Sequence, residues 1–260
     1  MPCVHLAHRA LVKLSGEDRL RFIQGQITQD IYRLEKEPFL YTLFLTPNGR
    51  FGGDAFVFEK EGALYIDCAA NQREGLIKRL TLYKLQAKVR IEPVADIRIY
   101  ALWGHADEPT LGFQDPRHPA LGRRVYGENL PTNGTLEDYD ALRLHDVVPD
   151  GNRDMTPEKS IPLEWPMDEL GAISWTKGCY VGQELTSRTK HTGVVRKQAV
   201  VLEAPGPLIA APVMCGGDEV GHVASVYGPK AFAVVATHAC THPLTVEGQP
   251  CHVRRYSVPA

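Results

Sequence analysis

After Gly193 the chain changes character. It becomes a series of short β-rich runs, Val194 to Glu203, Glu219 to Tyr227, Ala231 to Thr237 and Cys251 to Tyr256. They are separated by APGP, CGGDE, YGPK and EGQP, segments dense in the residues that set turn geometry. Regularly spaced short strands of this kind predict a small barrel or sandwich, and we assign residues 191–260 to a C-terminal β-barrel.

Upstream, strands and helices mix. Leu11 to Leu14 reads as a strand, Ser15 and Asp18 as a capping signal, and Leu20, Ile23, Ile27 and Ile31 as the apolar stripe of one amphipathic helix. Phe39 to Leu45 runs to Pro47-Asn48-Gly49, Ala55 to Phe58 resumes it, and Leu64 to Ile66 follows the Glu59 to Gly62 turn, which together predict an antiparallel meander. Asn71 and Glu74 cap a second helix that carries Leu76, Leu80 and Tyr83 on one face, and strands follow at Val89 to Ile91 and Ile97 to Leu102. Trp103 to Asn133 is a Gly-, Pro- and His-rich connection with a strand around Arg124 to Tyr126, and Thr135 and Asp138 cap a third helix bearing Leu136, Tyr139 and Leu142. Without strict βαβ alternation the class is α+β, with two mixed regions, 1–95 and 96–190, ahead of the barrel.

A chain of 260 residues, 43% hydrophobic and 23% charged, has ample core for this. The formal charge of -2 supplies no basic surplus for releasing phosphate counterions, which argues against direct nucleic-acid binding. No segment approaches the roughly 18 apolar residues of a membrane span. Six cysteines with no CxxC pair point to a reducing compartment; we expect a cytoplasmic protein, or a mitochondrial matrix one if it is a processed organellar form. Cys240, His242, Cys251 and His252 lack a zinc spacing, and no stable metal site is assigned to them.

The densest chemistry lies in WTKGCYVGQELTSR, Trp175 to Arg188. Gly178 permits a sharp turn, and a helix from Tyr180 to Thr189 places Cys179 at or just before a helix N-terminus, where dipole and free N–H groups favour a thiolate and Lys177 and Arg188 add charge. The alternative is a small buried cysteine in a glycine-lined corner, and composition alone does not choose between them. Arg188, Lys190, His191, Arg196 and Lys197 form a basic stretch that could meet an anionic ligand or simply face solvent.

The run Lys177-Gly178-Cys179-Tyr180-Val181-Gly182-Gln183-Glu184 resembles the signature of the YgfZ/Iba57 family, folate-binding relatives of the glycine-cleavage aminomethyltransferase. FIQGQITQDI (Phe22 to Ile31), LTPNGRFGGD, Ile161 to Trp165 and DELGAISWTKGC extend the resemblance along the chain. It implies a three-domain GcvT-like ring that holds tetrahydrofolate, with an iron-sulfur cluster shared with a partner protein. The cofactor contacts it implies are Asp54, Asn71, Arg143, Trp175, Tyr180, Gln183 and Arg188, with Trp175 lining the cavity.

In the transferase branch an acidic pair on the hairpin and a glutamate after LRL meet the pterin. Here those positions read Gly53-Asp54 and His145, so one carboxylate of the pair remains; Asp54 can alternatively be a surface turn carboxylate. A carboxylate suits the pterin because it accepts two N–H bonds in one plane. The resemblance therefore implies an accessory factor, non-enzymatic or weakly enzymatic, for assembly or repair of iron-sulfur clusters in client enzymes, including tRNA-modifying ones. Cys179 would be its functional thiol, a transient iron ligand or a relay of sulfur or electrons, and Lys177 its tuning cation. The alternative is a tetrahydrofolate-dependent aminomethyltransferase or other one-carbon transfer enzyme, and a third reading is a plain interaction scaffold.

Overall fold

The computed structural model describes residues 1–104 and 112–257; within the Trp103 to Asn133 connection, residues 105–111 lie outside the described residues. In chain order the elements are β1 (Cys3–His5), β2 (Arg9–Ser15), α1 (Arg19–Gln24), β3 (Leu40–Leu45), β4 (Phe51–Lys60), β5 (Ala63–Ala69), α2 (Arg73–Tyr83), β6 (Arg90–Val94) and β7 (Arg98–Leu102). They continue with β8 (Phe113–Gln114), β9 (Arg123–Gly127), α3 (Leu136–His145), α4 (Gly151–Asp154) and α5 (Gln183–Thr192). The last six strands are β10 (Lys197–Glu203), β11 (Pro212–Cys215), β12 (Asp218–Tyr227), β13 (Lys230–Ala236), β14 (Leu244–Val246) and β15 (Gln249–Arg254).

These make a five-stranded sheet ordered β3-β4-β5-β2-β6, a four-stranded sheet ordered β1-β7-β9-β8, and a closed barrel ordered β10-β13-β12-β11-β14-β15. The α+β class and the C-terminal barrel are as expected. The meander of β3, β4 and β5 is antiparallel throughout, with Tyr41 opposite Phe56 and Val57 opposite Ile66. Its strands are apolar on both faces because one side packs on α1 and α2 through Val12, Ile23, Val57, Ile66 and Leu80, while the other packs through Tyr41, Phe56 and Phe58 toward the second sheet. The N-terminal strand β1 does not join the sheet that follows it: Cys3 pairs opposite Leu102 of β7. The third helix has the capping box that its sequence announces, with the Thr135 hydroxyl accepting from Asp138 N–H and the Asp138 carboxylate from Thr135 N–H.

The predicted first helix is corrected. The stripe Leu20, Ile23, Ile27, Ile31 predicts one helix, yet α1 ends at Gln24, Ile27 forms a β-bridge with Phe44, and a separate 3-10 turn starts at Ile31. Nor does Asp18 cap it, since its carboxylate accepts from Lys88 N–H instead. All three isoleucines are fully buried, as the stripe predicts, although the backbone that carries them is not one continuous helix.

Candidate functional site

Two neighbouring cavities lie beside the meander, and Asn71 borders both. One, of about 340 Å³, is lined by Thr46, Gly52, Gly53, Asp54, Gln72 and Arg79 among others. The second, of about 220 Å³, is lined by His8, Arg9, Asp150, Asn152 and Arg153. Asp54 is not a surface turn carboxylate: it sits within β4, 1% exposed, with Oδ1 accepting from Arg9 Nη1 at 2.8 Å. Its Oδ2 is buried without a partner, and so are Asn152 Oδ1 and Asp150 Oδ1. Unsatisfied acceptors in a buried place cost about 1–3 kcal/mol each, so a ligand or water carrying N–H or O–H groups is favoured there.

At Gly53, beside Asp54, a Cβ would lie 2.8 Å from Gln72 Oε1, the end of a flexible side chain that can swing aside. Gly151 is stricter still, with φ +36° and a notional Cβ 2.0 Å from Asp54 Oδ1, so the α4 backbone closes directly over the carboxylate.

Behind the cavities runs a buried ion network that the sequence reading missed. Arg9 joins Asp54 to Asp67, with Nε at 2.7 Å from Asp67 Oδ1, and Arg124 Nη1 reaches Asp67 Oδ2 at 2.9 Å. Arg117 grips Asp115, His8 meets Asp150 at 2.8 Å, and Arg143 binds both Asp140 and Asp154 at 2.6 Å. Asp154 in turn accepts from Ser225 and Tyr227 of the barrel, so the network reaches all three sheets. Burial pushes the Asp150 carboxyl up, but His8, Arg143 and Arg9 outweigh it and hold the group well below its ordinary value. Asp115 likewise is pushed up by burial and brought below its ordinary value by Arg117 and Arg124. These residues lie far apart in sequence and share no local spacing; a lone buried Arg or Asp gives no signal until its partner is known.

The signature forms a second locality. Lys177 is 9% exposed and Tyr180 is 7% exposed, whereas Gly178 and Cys179 between them are exposed. The Lys177 ammonium donates to Gln24 O at 2.6 Å, Ile27 O at 2.8 Å and Gln29 O at 2.8 Å, and lies 5.2 Å from the Tyr180 ring centroid. Burial lowers it to about 8, with Asp30 acting in the opposite direction, so at pH 7 the group is still charged. Cys179 is the exposed member of the six cysteines; Cys3, Cys68 and Cys240 are buried, and Cys215 and Cys251 partly so. The glycine-lined buried corner is therefore not what the fold builds around Cys179.

The helix after it is also corrected. α5 starts at Gln183, not Tyr180, and its N-cap is Gly182 with φ +84°, so Cys179 precedes the cap by three residues. The turn belongs to Gly182, whose notional Cβ would meet Thr46 O at 2.4 Å; at Gly178 a Cβ would meet nothing within 4 Å. Thus Gly178 is not the residue that permits the turn. Gly182 packs the motif onto the β3–β4 hairpin tip, and Thr46 in that tip lines the larger cavity.

Of the contacts implied for a cofactor, Asp54 and Asn71 line that cavity. Arg143 is fully buried in its ion pairs under the Tyr227 ring, 4.5 Å from the centroid. Trp175, Tyr180, Gln183 and Arg188 are not among the residues that line the larger cavity. Trp175 is 37% exposed and donates from Nε1 to Asp168 Oδ1 at 2.7 Å, with Lys190 5.3 Å from its ring centroid. Arg188 pairs with Glu184 at 2.7 Å on the exposed side of α5. His145, at the position of the implied glutamate, is exposed and pairs with Asp146. Among the described residues, no group of three or more His, Cys, Asp or Glu side chains is arranged to hold a metal ion.

No family model matches the chain. It is 36% identical over 218 residues to the mitochondrial iron-sulfur cluster assembly factor IBA57 homolog of Phaeosphaeria nodorum, a match covering 74% of this chain and 53% of that protein. It is 29% identical to the mitochondrial iron-sulfur cluster assembly factor IBA57 of Mus musculus, covering 94% and 80%. The chain thus spans about half the length of fungal relatives such as the first. Among solved structures it is similar to glycine cleavage system aminomethyltransferase T from Bartonella henselae, with a TM-score of 0.78 over 99% of this chain and 85% of that one, at 14% identity. Sequence and fold together bear out the resemblance carried by Lys177 to Glu184: the chain falls with the YgfZ/Iba57 proteins, on the fold of glycine-cleavage aminomethyltransferase.

Proposed function

We propose that this chain is a folate-binding accessory protein for iron-sulfur cluster assembly or repair, in which Cys179 on the signature loop is the group offered to the cluster. The observation that carries the reading is the exposure of Cys179 between buried Lys177 and Tyr180, on a chain whose relatives are named as assembly factors. A thiol losing its proton becomes a soft ligand suited to iron, and one such ligand needs others from a partner. The cluster is cargo, and assembly or client proteins are the partners. The regions 1–95, 96–190 and 191–260 are the proposed domains, and the proposed compartment is the mitochondrial matrix or, in a bacterium, the cytoplasm.

The cavity beside Asp54 fits a tetrahydrofolate by its donor and acceptor chemistry. The pterin presents N–H groups, and Asp54 Oδ2 and Asn152 Oδ1 are acceptors left without partners. Asn71 borders both cavities. When bound, the folate would supply a one-carbon carrier; this chain's part is to orient the pterin against a carboxylate that Arg9 holds in place.

A deletion strain for the endogenous factor, carrying Cys179→Ser, tests the thiol: loss of iron-sulfur enzyme activity is expected, and full rescue overturns the reading. Titration with tetrahydrofolate followed by tryptophan fluorescence tests the ligand, since a plain scaffold gives no saturable signal. The retained Asp54 and the transferase fold favour a second reading, folate-dependent one-carbon transfer. It predicts turnover of a methylamine donor that depends on Asp54 and not on Cys179.

A further inference from the structure

The signature lysine has a different task from tuning the thiol. We infer that Lys177 is a positioning residue: its ammonium is the tie that fastens the 24–29 loop to the signature segment and so fixes where Gly178 and Cys179 project. The inference rests on the reading of Cys179 as the working group, but its test does not need folate or iron.

Three observations carry it. All three N–H donors of Lys177 are taken by main-chain carbonyls, those of Gln24, Ile27 and Gln29. These carbonyls belong to the stretch where the predicted helix stops, so the lysine satisfies acceptors that a continued helix would have paired internally. The same stretch is stitched to the signature segment at further points. Thr28 Oγ1 donates to Ala172 O at 2.6 Å, Gln29 Nε2 to Gly171 O at 2.5 Å, Ser174 N to Thr28 O at 3.0 Å, and Val181 N to Gly25 O at 3.1 Å.

The result is a loop held on both flanks. Lys177 anchors one side, Val181 N and the buried Tyr180 ring the other, and the exposed Gly178-Cys179 pair stands between them. A cage of three carbonyls converging on one nitrogen matches a compact ammonium and not the planar fork of an arginine. A methionine of similar length would leave the three carbonyls without their donor. A tuning cation makes the opposite demand, since for that role a positive charge suffices and arginine would serve.

Lys177→Arg and Lys177→Met separate the two roles. Hydrogen exchange of residues 24–29 and 177–182 is expected to speed up by about tenfold or more in both variants, because the local opening is no longer tied. The pH midpoint of Cys179 alkylation by iodoacetamide, read by peptide mapping, is expected to stay within about 0.3 pH units of the wild type. Native exchange rates in Lys177→Arg, or a Cys179 midpoint raised by about a full unit in Lys177→Met alone, would overturn the inference.

Should either variant fail to fold, the wild-type protein still answers. The Lys177 ammonium protons, each held by a carbonyl, are expected to give a resolved nitrogen-correlated NMR signal at about pH 6 under conditions where those of the exposed Lys36 exchange too fast to be seen, and equally fast exchange at both would overturn the cage. A failed complementation by Cys179→Ser bears only on the function, whereas these readouts bear only on the tie.

Discussion

Asp54 gives one carboxylate oxygen to Arg9 at 2.8 Å and keeps the other buried and unpaired beside a cavity. A carboxylate divided in this way is fixed in place by its bound half and available through its free half. Substituting Asp54→Asn should retain an oxygen for Arg9 while removing the anion, and a charged hydrogen bond contributes about 1.5–3 kcal/mol. Tetrahydrofolate affinity is expected to fall about 10- to 100-fold, measured by fluorescence titration.

Arg143 is the buried link between α3, α4 and the barrel, bound to Asp140 and Asp154 while Asp154 holds Ser225 and Tyr227. In Arg143→Met the Asp154 carboxylate loses its counter-ion, while Asp140 keeps Arg153. Breaking such a pair on one side costs about 3–5 kcal/mol, and denaturant unfolding should show a loss of that size. The double variant Arg143→Met with Asp154→Asn should recover part of it, which a packing defect alone would not do.

Acid should act through Asp115 and Asp150, whose folded values lie below the ordinary one, far below in the case of Asp150. A depressed carboxylate binds fewer protons folded than unfolded. Its stabilisation is complete above the ordinary value of about 3.9 and is lost as pH falls through the folded values. The urea midpoint is expected to change little between pH 7 and 5 from these groups and to drop below about pH 4. Asp115→Asn should be less stable at pH 7 and show a shallower fall.

The two glycines of the signature should behave differently. Gly182→Ala places a Cβ into Thr46 O at a backbone φ of +84°, whereas Gly178→Ala points into open space. A destabilisation of more than about 1 kcal/mol is expected for the first and less than about 0.5 kcal/mol for the second, by thermal or chemical unfolding. Because Gly182 leans on the hairpin tip, the first substitution should also weaken folate binding.

Much of the frame was legible because it is written in local patterns. The meander around Pro47-Asn48-Gly49, the capping box at Thr135 and Asp138 and the strands after Gly193 all depend on neighbours within a few residues. The short β11 and β14 were missed, since three or four residues carry too little alternation to register. The false helix continuation after Gln24 came from reading Ile27 and Ile31 by spacing alone; the carbonyls there are claimed by a lysine some 150 positions away. The site divided along the same line. Asp54, Asn71 and Cys179 were found through motif resemblance, while Arg9, Asp67, Asp150 and Asn152 came into view only when distant strands were brought together.

The pairing of β1 with β7 sets a waiting time during synthesis. Cys3 finds its place opposite Leu102, so the first strand leaves the ribosome roughly a hundred residues before its partner does, an interval of about 5–20 s at ordinary elongation rates. Throughout that interval the strand has no sheet to join, and Cys3, 6% exposed in the finished protein, stands open to oxidants and to mispairing. Released without residues after 95, the chain would carry β1 with no strand to pair and would leave the Tyr41, Phe56 and Phe58 face of the first sheet uncovered, which makes the first two sheets one folding unit in time as well as in space.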